Sequence, residues 1–134
     1  MNRILVDSSV ILDIFTADPA FFERSVRCLA TWGAASDLCY DDMIYAEVSV
    51  GFERIEKLDM ALRGSGFIHL PIPREALFLA GKAFLAYRRR GGTRTSPLPD
   101  FIIGAHAAIA GLRLITRDAQ RVRDAYPGVV LIEP

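Results

Sequence analysis

Short apolar runs alternate with segments of helical periodicity along the chain. The first run, residues 4–6, is continuously apolar and β-rich, which is typical of a strand covered on both faces. Runs at residues 38–40, 67–72, 112–116 and 129–132 predict four further strands. Because helical segments separate the strands, the pattern predicts an α/β fold with a parallel sheet and helices on both faces.

Capping residues mark where the helices between these strands begin. Asp18-Pro19 combines a capping carboxylate with a proline at the first helical position. Asp41-Asp42 puts two carboxylates at the positive end of a helix dipole. The predicted helices begin, in chain order, at Ser8 or Ser9, Asp18-Pro19, Asp41-Asp42, near Arg54, Pro73, Asp100 and Ala119.

The region from Pro73 to residue 110 predicts a helix, a loop and a second helix. The residues predicted to share a face on the first helix are Leu77, Ala80, Gly81 and Phe84. Residues 91–99 are rich in glycine, threonine and proline and form the clearest loop of the chain. Asp100 then opens a helix that is apolar nearly all round, so we expect this helix to be buried.

Length and composition are those of one compact domain spanning residues 1–134. The chain has 134 residues, of which 51% are hydrophobic and 24% charged, so it can bury a core without a disulfide or a structural metal. No apolar run approaches the roughly 20 residues of a membrane span. Cys28 and Cys39 lack the spacing of a disulfide framework or a zinc site. We therefore expect a cytoplasmic protein with two buried free thiols.

The charges are unevenly distributed along the chain. The formal net charge of zero argues against binding to nucleic acid through bulk positive charge alone. Residues 1–66 carry eleven acidic and six basic side chains, whereas residues 82–123 carry nine basic and two acidic ones. The neutral total therefore conceals a basic second half.

Four carboxylates occupy positions where burial is expected. Asp7 and Asp118 each lie at the carboxyl end of an apolar strand, and Asp100 opens the most apolar helix. Glu47 lies on the same helical stripe as Ile44, Val48 and Gly51. Ligands of open parallel sheets bind beyond the carboxyl ends of the strands, which is where Asp7 and Asp118 would meet if their strands are neighbours.

A cluster of these acids would need a cation or protons. At an effective dielectric near 20, two carboxylates about 5 Å apart repel by roughly 3 kcal/mol. All-oxygen ligands without histidine or cysteine favour Mg²⁺ or Mn²⁺ over zinc. The sequence therefore predicts a divalent-metal site.

Each acid also has a simpler interpretation when taken alone. Asp7, Asp100 and Asp118 could each cap a helix, and a single glutamate such as Glu47 could reach solvent or pair with an arginine. Capping does not explain Glu47, and only the joint placement favours a metal site.

Other polar residues are assigned structural roles. Asp13 is expected to face solvent, and His69 and His106, which lack metal-binding neighbours, are expected to be structural.

The four acids lie in four short segments with a distinctive order and spacing. The segments are Ile4-Leu5-Val6-Asp7-Ser8-Ser9, Tyr45-Ala46-Glu47, Leu98-Pro99-Asp100-Phe101-Ile102-Ile103-Gly104-Ala105-His106-Ala107 and Leu114-Ile115-Thr116-Arg117-Asp118. Together they resemble the PIN-domain ribonucleases, and within that family the VapC toxins of type II toxin-antitoxin modules. The resemblance covers essentially the whole chain.

The resemblance implies a PIN-like sheet of order 3-2-1-4-5 and a defined set of site residues. Asp7, Glu47, Asp100 and Asp118 match the catalytic acids of the family, and of these Asp7, Asp100 and Asp118 would hold the metal. Ser9 and Thr116 match polar positions that orient the site. Many members carry asparagine at the position of Ser9 and a further acid shortly after the fourth, where this chain has Gln120 and Arg121. The number of metal ions stays open.

The activity implied by the resemblance is Mg²⁺- or Mn²⁺-dependent hydrolysis of RNA by an endoribonuclease toxin. A metal-activated water would attack the phosphodiester and leave a 5′-phosphate. The implied partners are the RNA substrate, a VapB-type antitoxin and a second copy of the chain in a homodimer. The alternative is a catalytically silent PIN-fold module that acts by binding protein or RNA.

Two phosphotransfer folds also combine a parallel sheet with clustered acids, but neither matches. A receiver domain needs an aspartate after the third strand, where this chain has His69-Leu70-Pro71. A haloacid dehalogenase needs Asp-x-Asp after the first strand, where this chain has Asp7-Ser8-Ser9.

A basic segment precedes the helix of Asp100. The arginines in it are Arg88, Arg89, Arg90 and Arg94. They would either contact RNA phosphates or stabilise the negative end of a helix dipole. The sequence leaves both interpretations open.

Overall fold

Five parallel strands form the single sheet of the described chain. A computed structural model describes residues 2–92 and 97–134. The strands are β1 (Arg3–Val6), β2 (Asp37–Tyr40), β3 (Ile68–His69), β4 (Arg113–Ile115) and β5 (Leu131–Ile132). Their order is β3-β2-β1-β4-β5, which confirms both the predicted α/β class and the strand order implied by the resemblance.

The helices follow the strands in the expected alternation. They are α1 (Ser8–Phe15), α2 (Phe22–Gly33), α3 (Asp42–Val48), α4 (Ile55–Gly64), α5 (Arg74–Arg89), α6 (Pro97–Ala110) and α7 (Ala119–Ala125), with a 3₁₀ turn at Ser49–Gly51. None of the helices in the described ranges has the length and apolar character that crossing a membrane requires.

The central strand pair brings two chain segments to one edge of the sheet. The side chains of Ile4, Leu5 and Val6 are fully buried, as the continuous apolar run predicts. Val6 is paired with Ile115 in the register of β1 and β4. Because the two strands are parallel neighbours, the residues that follow them emerge side by side.

Three of the strands, β3, β4 and β5, are shorter than their apolar runs. The third strand was predicted over residues 67–72, but β3 ends at His69, after which the Leu70 amide donates one more hydrogen bond to the Tyr40 carbonyl. Pro71 and Pro73 follow, and a proline cannot donate to the next rung of a sheet. β5 likewise covers only Leu131–Ile132 of the run at 129–132.

The predicted face of α5 is only partly correct. Ala76 and Ala80 are fully buried, whereas Leu77 is 46% exposed. The small side chains let α5 pack closely against α6, the pair of helices with the most extensive mutual packing. Small size, rather than hydrophobicity, therefore selects the buried face of α5.

Helix α6 begins earlier than the sequence indicated. Its first residue is Pro97, so Asp100 lies within the first turn and does not open the helix. Proline suits the first helical position because its missing N–H would have no partner there. Part of the predicted loop, residues 93–96, lies outside the described residues. The rest of α6 is buried as predicted from Phe101 through Ala107, apart from a partly exposed Ile102.

Candidate active site

Asp7 follows β1, and both of its carboxylate oxygens accept hydrogen bonds. Its Oδ1 accepts from the Ser8 amide at 2.8 Å, so Asp7, and neither of the predicted Ser8 and Ser9, caps α1. Its Oδ2 accepts from the Thr116 hydroxyl at 2.7 Å. Thr116 follows β4, and its Oγ1 also accepts from the Asp118 amide at 3.0 Å. These bonds fix Asp7 and link it to the turn that carries Asp118.

Glu47 is drawn toward the same edge by Ser8. Ile44 and Val48 on its stripe are buried, while Glu47 is only partly covered. The Ser8 hydroxyl donates to Glu47 Oε1 at 2.8 Å. Ile44 and Val48 therefore account for the burial of the stripe. The hydrogen bond from Ser8 holds the Glu47 carboxylate beside Asp7.

The neighbouring Ser9 has a different environment from Ser8. The resemblance gives Ser9 an orienting role, yet its Oγ is buried and makes no hydrogen bond to the described residues. Ser8, which the sequence interpretation treated only as a helix cap, makes the bond to Glu47. Only the twist of the first helical turn decides which of two adjacent serines faces the acid.

Asp100 and Asp118 share one cation, the guanidinium of Arg121. Arg121 Nη1 donates to Asp100 Oδ2, and its Nη2 lies 2.8 Å from Asp118 Oδ2. The side chain of Asp118 makes no hydrogen bond that caps α7, which excludes the simpler interpretation of this acid. The sequence interpretation noted Arg121 only as a departure from the family and did not anticipate these pairs.

Three of the four acids line one small cavity. Asp7, Asp100 and Asp118 line it together with Thr116 and Arg121. Glu47 does not line this cavity and is connected to it through Ser8. The structure therefore brings together all four acids of the predicted site, three directly and one through a hydroxyl.

The electrostatics of the cluster disfavour ionisation of two of its acids. Burial raises the pKa of Asp7 above 3.8; the bonds from Thr116 and Ser8 partly offset this, and the charge of Asp100 adds to it. Burial also raises the pKa of Glu47, against the opposing bond from Ser8, and the charges of Asp7 and Asp100 contribute in the same direction as burial. A bound cation would lower the cost of keeping both groups charged.

The donor chemistry of the pocket fits a divalent ion. Among residues 2–92 and 97–134, no three acidic, histidine or cysteine side chains are arranged to hold a metal ion as they stand. The carboxylates and the Thr116 hydroxyl are nevertheless the hard oxygen donors that Mg²⁺ and Mn²⁺ prefer. A positive group, Arg121, already lies between two of these carboxylates. The pocket therefore already holds one positive group between its carboxylates.

Asp13 is buried, so the prediction that it faces solvent is wrong. Its side chain is 2% exposed and accepts from the Ser25 hydroxyl at 2.8 Å and from Arg117 at 3.0 Å. Arg117 also lies 4.0 Å from the centroid of the Phe21 ring. Because Arg117 directly precedes Asp118, this ion pair with the buried Asp13 anchors the turn that presents Asp118 to the pocket.

Two buried side chains, Asp41 and His106, join the helices that carry Glu47 and Asp100. Asp41 caps α3 by accepting from the Ile44 amide at 2.9 Å, and its other oxygen lies 2.8 Å from His106 Nδ1. Asp41 and His106 are fully and almost fully buried. His106 is thus the structural residue that the sequence predicts. Asp41 is more than a helix-start charge, because it connects α3 to α6.

Among the described residues, the remaining predicted groups do not line the acidic cavity. Arg88, Arg89 and Arg90 are exposed at the end of α5, and Arg88 lies over the Phe84 ring at 5.7 Å. Arg94 lies outside the described residues. The two cysteines are free, with Cys39 buried and Cys28 partly exposed.

Comparisons with known proteins point to one family. The PIN domain family model matches residues 4–125. Similar solved structures include VapBC-1 from nontypeable Haemophilus influenzae, with a TM-score of 0.70, 17% identity and coverage of 98% of this chain and 97% of that one. A toxin-antitoxin complex from Klebsiella pneumoniae has a TM-score of 0.67, 24% identity and coverage of 95% of both chains.

A third similar structure is VapBC2 from Rickettsia felis, bound to a DNA fragment from their promoter. It has a TM-score of 0.69, 14% identity and coverage of 98% of both chains. The comparison with curated proteins found no match.

Proposed function

The chain belongs to the PIN domain family, and from that premise we propose that it is a metal-dependent endoribonuclease that hydrolyses RNA phosphodiester bonds. The observation that carries the proposal is the convergence of Asp7, Asp100 and Asp118 on one cavity at the carboxyl edge of β1 and β4, with Glu47 attached through Ser8. A carboxylate cluster at this edge is typical of a ligand site in an open parallel sheet.

Mg²⁺ or Mn²⁺ would be held by Asp7 and Asp100 directly and by Asp118 directly or through water. When bound, the ion supplies a Lewis acid that polarises the phosphate and lowers the pKa of water. The hydrogen bonds from Ser8 and Thr116 keep the two oxygens of Asp7 oriented. Outer partners of this kind control the geometry and basicity of a ligand.

In this proposal Glu47 would complete the metal shell or orient the attacking water and accept its proton. The Ser8 hydroxyl engages only its Oε1, and burial raises the pKa of its carboxyl group. A carboxylate with a raised pKa is a stronger general base. Because the attacking group is water, the 2′-hydroxyl of the substrate does not take part, and the product carries a 5′-phosphate.

The biological setting that we propose is a VapC-like toxin neutralised by a VapB-type antitoxin. One similar structure is described as a toxin-antitoxin complex, from Klebsiella pneumoniae, and another is VapBC-1 from nontypeable Haemophilus influenzae. Their likeness to this chain supports an antitoxin partner, and cytoplasmic action is part of the same proposal. A homodimer and the contact of the basic segment with RNA belong to the same proposal.

Asp7→Asn tests the proposed reaction. We expect the variant to lose more than about a hundredfold in cleavage rate, because it removes a charged ligand that two hydrogen bonds hold in place. The measurement is cleavage of total RNA with added Mn²⁺, followed by mapping of the product ends, which we expect to carry 5′-phosphates. Asp124→Asn is the matched control, since Asp124 lies on exposed α7 surface and bonds to Gln120.

Two results would contradict the proposal. Undiminished cleavage by Asp7→Asn would remove Asp7 from the site, and 2′,3′-cyclic phosphate ends would exclude water as the nucleophile. Mn²⁺ binding without any RNA cleavage by the antitoxin-free protein would favour the alternative, a silent PIN-fold binding module.

A further inference from the structure

Arg121 occupies the position between two acids of the pocket. It lies on the first turn of α7, three residues after Asp118, and its two terminal nitrogens reach Asp118 and Asp100 separately. Its Nε is buried and has no hydrogen-bond partner among the described residues. Two carboxylates hold this guanidinium, and its third nitrogen, Nε, is unused. Charge therefore fixes the side chain, and a complete set of hydrogen bonds does not.

We propose that Arg121 is a built-in counter-cation of the acidic pocket, which neutralises Asp100 and Asp118 in the metal-free chain and must leave Asp100 when a divalent ion binds. The inference rests on the proposed function in taking the pocket to be a metal site. It goes further by assigning a role to a residue of this chain that competes with the ion.

Competition follows from the chemistry of the two cations. Arginine side chains carry a permanent positive charge in proteins, so movement of Arg121 is what would free the carboxylates. Asp100 Oδ2 accepts from Arg121, so a divalent ion bound by the same carboxylate would place a second positive charge next to the guanidinium. The two cations would repel each other, which favours release of Arg121 from Asp100. The Arg121 side chain is 31% exposed, so it has solvent-facing space into which it can move.

The same ion pairs should help the metal-free protein to fold. Asp7, Asp100 and Asp118 line one cavity, where their negative charges would repel one another. Arg121 adds a positive charge beside Asp100 and joins α7 to α6. Removing it should therefore destabilise the metal-free chain and increase the gain in stability on metal binding.

The test is a titration of Mn²⁺ into three metal-free proteins, the wild type, Arg121→Gln and Arg123→Gln. Calorimetry measures the binding in each titration. Arg123 lies on the same helix, is exposed and donates to Gln120 at 3.4 Å, so its substitution matches the change in net charge. We expect Arg121→Gln to bind Mn²⁺ about tenfold more tightly than Arg123→Gln. We also expect its Tm in EDTA to be lower and its Mn²⁺-induced rise in Tm to be larger.

A second measurement uses the wild-type protein and does not depend on the folding of a variant. Mg²⁺ is titrated while the Nε–Hε signal of Arg121 is followed by nuclear magnetic resonance, with the signal assigned by its absence from Arg121→Lys. We expect the signal to move in step with Mg²⁺ binding, because the side chain loses Asp100 as a partner.

The outcomes separate this inference from the proposed function. If Arg121→Gln binds Mn²⁺ no more tightly than Arg123→Gln, or if the Arg121 signal is unmoved at saturating Mg²⁺, Arg121 does not compete with the ion and the inference is wrong. The proposed function would still stand if the wild type binds Mn²⁺ and cleaves RNA. If none of the three proteins binds Mn²⁺, both proposals are wrong.

Discussion

Two adjacent serines of α1, Ser8 and Ser9, differ in their hydrogen bonding. The Ser8 hydroxyl donates to Glu47 at 2.8 Å, and the Ser9 hydroxyl is buried without a hydrogen bond to the described residues. A helix turns about 100° per residue, so neighbours on α1 face different directions. The polar residue that orients Glu47 is therefore Ser8, although the motif directs attention to Ser9.

Ser8→Ala should lower RNA cleavage by about tenfold to a hundredfold, because Glu47 loses its hydrogen-bond donor. Ser9→Ala is the control and should change the free energy of unfolding by no more than about 0.5 kcal/mol, with cleavage close to wild type. Steady-state cleavage rates and urea unfolding of both variants check this. A larger loss of activity in Ser9→Ala than in Ser8→Ala would return the orienting role to Ser9.

The raised pKa of Asp7 makes the stability of the metal-free chain depend on pH. Burial, and then the charge of Asp100, favour the protonated form in the folded state, whereas in the unfolded chain Asp7 titrates near its ordinary value of 3.8. Its contribution to stability is thus complete below that value and is lost as the pH rises through the higher folded pKa.

Above about pH 4, wild type should therefore lose stability relative to Asp7→Asn, which does not ionise at this position. Urea unfolding of both proteins in EDTA, at a series of pH values up to neutrality, measures the difference. A difference that stays constant or changes in the opposite direction would contradict the assignment of Asp7 as a carboxyl group destabilised by burial.

At the scale of elements, the pocket depends on how β4 leads into α7. Thr116 bonds to Asp7, Arg117 pairs with the buried Asp13, and Asp118 reaches Arg121. Three consecutive residues thus connect this turn to the end of β1, to α1 and to α7. Rigid support of this kind keeps a site residue within the narrow range of positions that its chemistry needs.

Asp13→Ala should reduce the free energy of unfolding by about 2–3 kcal/mol, because it leaves Ser25 and Arg117 without their buried acceptor. Glu56→Ala is the matched control: it breaks the Arg54 ion pair, whose side chains are 70% and 61% exposed, and should cost less than about 1 kcal/mol. Urea unfolding of the two variants gives the comparison. Equal losses in the free energy of unfolding for Asp13→Ala and Glu56→Ala would show that the Asp13–Arg117 pair does not anchor the turn.

At the scale of the whole molecule, the sheet concentrates acids at one edge, and three exposed arginines follow one another at the end of α5. Asp7 and Asp118 follow neighbouring strands, and the exposed arginines 88–90 end α5, which packs against the helix of Asp100. A polyanionic substrate would be repelled by the acids alone. The basic segment is the feature that would attract its phosphates.

Replacing Arg88, Arg89 and Arg90 together with glutamine should weaken RNA binding and flatten its dependence on salt, by up to about 0.7 in the logarithmic slope for each lost phosphate contact. Replacing the exposed Arg27, Lys57 and Arg63 with glutamine removes the same charge from the acidic half of the chain and should leave the slope unchanged. Binding of single-stranded RNA is measured with the Asp7→Asn background to prevent cleavage. Equal slopes in all proteins would mean that the arginines serve only the helix dipole.

The sequence alone determined the alternation of strands and helices and the four candidate acids. Apolar runs and caps are local signals, and the full burial of Ile4, Leu5 and Val6 shows how directly a continuous run reports its environment. The start of α6 was misplaced because proline is typical both of loops and of the first helical turn.

Only the tertiary structure decided which charges meet. Asp13 and Arg117 are 104 residues apart in sequence, and Asp7 and Thr116 are 109 apart. No periodicity within one segment predicts such pairs, because a side chain's partner depends on the packing of distant elements. For the same reason the sequence identified Arg121 only as an unexpected residue, and the fold placed its charge between Asp100 and Asp118.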